Sequence, residues 1–305
     1  MHSPGSTAGT DRQAEPASAP PIPRSRLRVL VVAPQPFFAQ RGTPINVRQM
    51  VQTLCDAGDE VHLATYPMGS AVSIPGLHLH RAMRVAGVRD VPIGFSWRKV
   101  VLDALLAIRV WALVLGRRFD VVLAVEESVL FVMPIARLRG IPVIYDMDYS
   151  LSEQLEYGGH VRNIGLLRLV RRMELAALQR ARLVITVCAS LTERVQAMVP
   201  NAMVVQIEDC PLDEALRAPD RARVEELRAS HGLAGRRVVM YTGNLEGYQG
   251  IDLLLDAFAR VARADARSML VLVGGARAQI ARVRERTSAL GIADRVVLTG
   301  PRPAS

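Results

Sequence analysis

The run Arg28-Val-Leu-Val-Val-Ala33 limits what this chain can fold into more than any other feature. Aliphatic residues without polar alternation read as a strand buried on both faces, and a sheet achieves that only when helices cover both sides. The next residues keep to that plan. A loop from Pro34 to Pro44 leads to a helix with Val47, Met50, Val51 and Leu54 at helical spacing. Gly58 ends that helix, and Glu60 to Thr65 reads as a second strand. Strand, loop, helix and strand form the unit that repeats in doubly wound parallel folds.

The repeat continues. Trp97 to Leu115 is a long apolar helix flanked by Arg98, Lys99, Arg117 and Arg118. Asp120–Val125, Ile141–Tyr145 and Leu183–Val187 read as strands. Before the last of these, Leu166, Leu169, Val170, Met173 and Ala177 line one face of a helix, with Arg168, Arg171 and Arg172 opposite. Ser190 opens a further helix as a capping box with Glu193. After a polar connection at 208–235, a second series holds strands Arg237–Thr242, Met269–Val273 and Arg295–Thr299 with two helices between them. The predicted class is α/β, with two Rossmann-like doubly wound domains at 27–207 and 236–305. A tail at 1–26, rich in Pro, Ser, Ala and Gly, is expected to be disordered. Three strands make half of such a domain and leave apolar edge and faces uncovered, so the second domain is expected to be incomplete.

Composition narrows the partners. The net charge is +9 over 305 residues. This excess, carried mainly by arginine, either attracts phosphates, anionic lipid or nucleic acid or is simply a basic surface. No helix-turn-helix or aromatic-basic strand motif accompanies it, so nucleic acid is not an expected partner. No apolar run reaches the roughly 18 to 20 residues of a membrane span. Cys55, Cys188 and Cys210 fit no disulfide or zinc spacing, which points to a reducing cytoplasm. His78 and His80 share a face of a predicted strand, but no third ligand has fitting spacing, and no metal is expected. Neither a dinucleotide fingerprint nor a Walker loop follows Ala33 or Thr242, against a dehydrogenase and an NTPase.

Three places carry chemistry. Gln40-Arg41-Gly42-Thr43-Pro44 enters a helix N-terminus, whose free N–H groups and dipole favour an anion, and Gly42 lets a phosphate or sugar approach the backbone. An ordinary strand–helix turn has the same composition. Asp146 and Asp148 follow the predicted strand Ile141–Tyr145, at the end where open α/β sheets bind ligands. There they accept a hydroxyl hydrogen bond or a proton, or else serve as turn and cap residues. The loop Thr242–Gly250 holds Gly243, Asn244, Tyr248 and Gln249, and Gly274-Gly275 ends the next strand on the same edge. Glycines for backbone access beside amides for hydrogen bonding suit a ligand loop; two tight turns are the alternative.

In order and spacing these residues resemble glycosyltransferase family 4, a group of retaining enzymes of the GT-B fold. The segments that carry the resemblance include Val31–Pro36, Arg41–Pro44, Val143–Ser150 and Met173-Glu174 in the first half. Leu183–Val187, Tyr241–Glu246 and Tyr248–Leu254 continue it. The resemblance implies that the first domain takes the acceptor and the second a nucleotide-sugar donor. It places Asp148, where many members have a histidine, beside the reacting sugar as the catalytic candidate. It places Gly42, Thr43, Gly243, Asn244, Gln249, Gly274 and Gly275 around the donor, and Arg41, Asn46 and Asp146 on the acceptor side. Asn244 and Gln249 stand where many members carry Arg and Lys on the diphosphate. Two family glutamates would fall beyond Ser305. Retention is implied, with the leaving phosphate assisting the incoming hydroxyl and no metal or cofactor. Glycan or lipid-linked acceptors of envelope polysaccharide synthesis, at an anionic membrane surface, are the implied partners. The alternative is a shortened, non-catalytic homologue that keeps acceptor or membrane binding.

Overall fold

The computed structural model describes residues 25–39, 42–85, 87–88, 96–157, 164–210 and 220–302. The first sheet holds β1 (Arg28–Ala33), β2 (Glu60–Thr65), β3 (Leu77–Arg81), β4 (Val121–Val125), β5 (Val143–Met147), β6 (Leu183–Thr186) and β7 (Val204–Gln206). Its order is β3-β2-β1-β4-β5-β6-β7, with every neighbouring pair parallel. The helices that alternate with these strands are α1 (Gly42–Asp56), α2 (Trp97–Gly116), α3 (Val129–Leu138), α4 (Leu151–Tyr157), α5 (Ile164–Arg180) and α6 (Ala189–Met198). Helix α7 (Arg221–Ser230) follows in sequence. The second sheet, ordered β10-β9-β8, holds β8 (Arg237–Thr242), β9 (Ser268–Val273) and β10 (Val296–Gly300), with α8 (Ile251–Ala264) and α9 (Arg277–Ala289).

The apolar run at the start is buried on both faces, as its composition requires. Leu30 and Val32 enter a core layer with Leu102, Leu106 and Val110 of α2. Val29, Val31 and Ala33 point the other way, into a layer with Val47 and Val51 of α1. Successive side chains of a strand face opposite sides, so β1 nails both layers together. It also fixes the site: β2 flanks it on one side and β4 on the other, so the chain reverses its direction of travel across the sheet there. At such a switch point the connections leave in opposite directions and open a crevice at the strands' carboxyl ends.

Several expectations need correction. Strand β5 begins and ends two residues later than read from the sequence, so Asp146 lies inside it, opposite Val125 and Ile185, and only Asp148 lies beyond. Gly42 to Pro44 belong to α1 rather than to the preceding loop. Helix α6 is capped at Cys188, with no side-chain cap bond; the Ser190 hydroxyl meets the Cys188 sulfur at 3.2 Å instead, so no capping box forms there. Of the expected apolar face of α5, only Ala177 is buried, while Leu166, Leu169 and Met173 are exposed. The reason is Glu174. Its carboxylate is buried and accepts hydrogen bonds from the Leu151 N–H at 2.8 Å, the Ser152 hydroxyl at 2.6 Å and the Ser150 hydroxyl at 3.2 Å. The helix turns this polar residue inward to cap the start of α4, where free N–H groups favour a negative charge.

In the second sheet the glycines are needed by packing. Gly274 has φ +118°, and a Cβ there would lie 2.0 Å from the Gly243 carbonyl oxygen. Gly275 is closed off by Leu245, 2.5 Å from the same construction. Replacement of Gly274 by alanine therefore forces apart the loops that follow β8 and β9. Gly274→Ala is expected to lower the unfolding free energy by about 2 kcal/mol or more. Urea unfolding followed by circular dichroism checks this.

Candidate functional site

Strand β4 ends at Val125, and the next residue, Glu126, takes φ +51°. A left-handed backbone at a residue that is neither glycine nor Asn/Asp is a conformation the surroundings must enforce. It starts the 3-10 turn Glu126–Ser128, which aims two buried carboxylates, Glu126 and Glu127, at the crevice between β1 and β4. Thr43, in the first turn of α1, donates its hydroxyl to Glu126 Oε1 at 3.0 Å and lies within hydrogen-bonding reach of Asp148. The Tyr149 hydroxyl lies 2.8 Å from Glu127 Oε2 and 3.3 Å from Glu126 Oε2. Lys99 of α2 closes the group from behind, its Nζ 2.5 Å from Glu127 Oε1. Asn46 of α1 donates to Asp209 Oδ1 at 2.6 Å, which brings a fourth acid to the rim.

Burial dominates the electrostatics. It pushes Asp146 up to about 7, helped by Glu126 and Asp209. It pushes Asp148 up to about 7, helped by Asp146 and Asp209, with Thr43 opposing. Glu126 rises to about 8 through burial and Glu127, against Lys99. Burial alone would pull Lys99 down, but Glu127 and Glu126 hold it above the usual lysine value. Asp103, which accepts the Tyr66 hydroxyl, rises to about 7, again mainly by burial. Behind Lys99 and Glu127 lies a cavity of about 240 Å³ walled by Val100, Leu130, Phe131 and Leu155. Acids with such values exchange protons near neutral pH and hold hydroxyl or cationic groups strongly.

Gly42, Thr43, Asn46, Asp146 and Asp148 thus come together at the first sheet's switch point. Arg41 lies outside the described residues. In the second unit Gly243, Asn244 and Gln249 follow β8, and Gly274 and Gly275 follow β9. The N–H groups of Gly243 and Gly274 are engaged by the carbonyls of Val273 (3.0 Å) and Gly300 (2.9 Å). Asn244 ties its own loop, its Oδ1 accepting the Glu246 N–H at 3.2 Å and its carbonyl accepting the Tyr241 hydroxyl at 2.7 Å. Gln249 is exposed at the end of a 3-10 turn. Sequence reasoning missed Glu126, Glu127, Tyr149, Lys99 and Asp103. Glu126-Glu127 carried the same signal as Asp146, an acid at the end of an apolar run; Lys99 and Asp103 sit on a helix and had no local signal.

Away from the crevice, Glu60, His62 and His78 bring one ligand atom each to within 4.8 Å of one another, enough to hold a metal ion. Strand β2 supplies two of these residues, Glu60 and His62, which spacing along the chain did not reveal, and His80 is not one of the three. Two of the three are already in use: His62 Nε2 meets Glu60 at 3.0 Å and His62 Nδ1 meets His80 Nε2 at 2.8 Å, while Arg28 pairs with Glu60 at 3.1 Å.

The family model described as "Glycosyl transferase 4-like domain" matches residues 41–208, and "Glycosyl transferases group 1" matches residues 236–305. A 2-deoxystreptamine N-acetyl-D-glucosaminyltransferase of Streptomyces fradiae is 29% identical over 296 residues, 88% of this chain and 66% of that protein. An alpha-D-kanosaminyltransferase of Streptomyces kanamyceticus is 29% identical over 107 residues, 35% of this chain and 28% of that protein. The chain therefore spans less than two thirds of either relative. Among solved structures, sucrose-phosphate synthase from Thermosynechococcus elongatus gives a TM-score of 0.68 at 19% identity, over 92% of this chain and 71% of that one. The Anabaena protein HepE, solved with UDP and glucose, gives 0.67 at 16% identity, over 92% and 70%. These likenesses establish the two-sheet GT-B fold.

The raised carboxylates carry a stability consequence with a definite sign. Asp146 has a folded value of about 7 against an ordinary aspartate value of 3.8. The folded state therefore holds a proton that the unfolded state has lost. The resulting penalty is absent below about 3.8, grows through that window and is complete above about 7. Asp146→Asn is expected to raise the unfolding free energy at pH 8 by on the order of 2 kcal/mol and to change it little at pH 3.5. Denaturant midpoints at the two pH values check this.

Proposed function

We infer from membership of the glycosyl transferase 4-like family, to which this chain belongs, that it transfers a sugar from a nucleotide-sugar donor to an acceptor hydroxyl. The observation that supports this reading best is the crevice itself, where Thr43, Glu126, Asp146 and Asp148 meet at the carboxyl ends of β4 and β5. An acceptor hydroxyl set against Asp148 is oriented by a carboxylate that holds its proton near neutral pH. The donor belongs to the loops after β8 and β9, in keeping with relatives solved with UDP and UDP-glucose. Transfer proceeds with retention, the leaving phosphate taking the proton of the hydroxyl that attacks from its own face. Asn244 and Gln249 add no cation there, so the developing phosphate charge depends on neutral donors.

The acceptor is a glycan or a lipid-linked sugar, such as envelope polysaccharide synthesis uses, reached from the cytoplasmic face of the membrane. Exposed apolar groups favour membrane contact: Trp97, Ile108 and Leu115 on α2, and Ile164 and Leu169 on α5. Arg98 and Arg168 lie beside them in sequence. Among the described residues, no helix is long and apolar enough to cross a membrane. Attachment is therefore interfacial, through apolar insertion and attraction of arginine to anionic headgroups.

Two measurements test the reading. With a panel of nucleotide sugars and glycan acceptors, transfer should appear with an anomeric configuration matching the donor, and Asp148→Asn should lower kcat tenfold or more, about 1.4 kcal/mol in the barrier. Transfer with inversion, or unchanged kcat in the variant, contradicts it. In vesicle sedimentation, anionic lipid should retain the protein at low salt and release it at high salt, while neutral lipid should not. Equal partition to both lipids contradicts the membrane part.

A further inference from the structure

We propose that Glu60, His62 and His78 bind a zinc-class divalent ion that fastens the edge strand β3 to β2. The site lies away from the switch crevice, and sugar transfer does not depend on it.

Sheet register brings the ligands together. In the parallel pair β2–β3, His62 stands opposite His78, and Ala64 stands opposite His80. Side chains alternate across a strand, so Glu60, His62, His78 and His80 share one face. It is the face that α2 covers, where Ala64 packs in one core layer with Leu102 and Leu106. His62 has no exposure and meets Phe119 edge-on, with ring centroids 5.3 Å apart. A polar ring in such a layer opposes folding unless its nitrogens are engaged.

The distances suit one ion. Glu60, His62 and His78 each offer a ligand atom, and the three atoms lie within 4.8 Å of one another. His62 Nε2 and Glu60 Oε1 are 3.0 Å apart. Two atoms bonded to zinc at about 2.0–2.2 Å in a tetrahedral site stand roughly 3.3 Å apart, so this pair needs little adjustment. His78 closes the rest. It is exposed on β3, its ring beside that of His62 with centroids 4.6 Å apart. A nitrogen at the 4.8 Å limit needs to move in by about 1.5 Å, and an exposed ring can turn that far.

His80 supports the site rather than joining it. Its Nε2 lies 2.8 Å from His62 Nδ1. With the ion on His62 Nε2, Nδ1 carries the proton and donates it to His80. Such an outer bond fixes the orientation of a ligating histidine. Burial holds both His62 and His80 below the usual histidine value, so both rings are neutral at pH 7, the form that takes a metal. Without an ion the donors run the other way: Arg109 to His80 Nδ1 at 3.4 Å, His80 to His62, and His62 to Glu60. Binding reverses that chain, and the contact given up is the long one from the exposed Arg109. Arg28 pairs with Glu60 at 3.1 Å and keeps the affinity below that of a closed four-ligand site.

The ligand set selects the ion. Two imidazoles and one carboxylate suit zinc and its transition-metal neighbours, whereas magnesium and calcium take oxygen ligands. Three protein ligands leave a fourth position to water. Strand β3 ends the sheet and pairs with β2 alone, so a bridge from His78 to Glu60 and His62 ties down that edge.

The test is calorimetric titration of the untagged chain with zinc chloride at neutral pH, which should show one bound ion. His78→Ala and Glu60→Gln, each matching the parent in circular dichroism, should weaken binding at least tenfold. His231→Ala, just after α7, should not. Zinc should slow amide hydrogen exchange in Leu77–Arg81 in the parent and not in His78→Ala. Cobalt in place of zinc should give visible bands of nitrogen and oxygen ligation without a thiolate charge-transfer band. Absence of zinc binding overturns the proposal, as does binding indifferent to both His78→Ala and Glu60→Gln. Magnesium binding as tightly as zinc overturns it too, and a thiolate band does so by placing the ion on a cysteine. Zinc bound with no change of exchange in β3 overturns the fastening of the edge.

Discussion

Burial of β1 on both faces is the constraint from which the site follows. Alternate residues of that strand enter two separate core layers, one with α2 and one with α1. A strand so placed must be central, and the chain must build outward from it in both directions, giving the order β3-β2-β1-β4-β5-β6-β7. The reversal beside β1 leaves a crevice that no crossover connection fills. Thr43 at the start of α1 and Glu126 at the end of β4 then face each other across it, 3.0 Å apart. The meeting of those two side chains depends on topology rather than on local sequence.

What stands in the crevice works against folding. Glu126 bends its backbone into a left-handed conformation, and Asp146 and Asp148 sit where water cannot fully solvate them and where each repels the next. Apolar residues at these positions would give a more stable domain, since buried acids that repel one another oppose folding. Strain and unfavourable charge gathered at one strand-end edge are the signature of a site selected for binding rather than stability. The +9 surface makes the contrast sharper, because it could have supplied a compensating arginine at little structural cost.

Much of this was legible in the sequence because the strongest signals were periodic. Apolar runs gave β1, β2, β4, β5, β6 and the three strands of the second sheet, alternation at His78 and His80 gave β3, and α1 and α2 were read as helices, whereas β7 and α3 were not read. The α/β class and the family resemblance agree with the matched family and fold. Misreadings arose where tertiary contacts overrode local pattern. Helix α5 looked amphipathic from its leucines, but Glu174 turned the helix to cap α4 and left those leucines outside. Ser190 had the spacing of a capping box, yet the helix began two residues earlier and made Cys188 its cap. Asp146 looked like a loop residue because an acid seldom ends a buried strand; pairing with β4 and β6 draws it in. Lys99 and Asp103 were invisible as site residues, because only the packing of α2 against α3 and β2 brings them to Glu127.

The central claim is that Glu126, Asp146 and Asp148 form one buried, mutually repelling group at the switch crevice. Carboxyl-carbon NMR titration of the three residues in the protein tests it most directly. The account expects Asp146 and Asp148 to titrate near 7 and Glu126 near 8. Values near the ordinary carboxylate range of about 4 would contradict it.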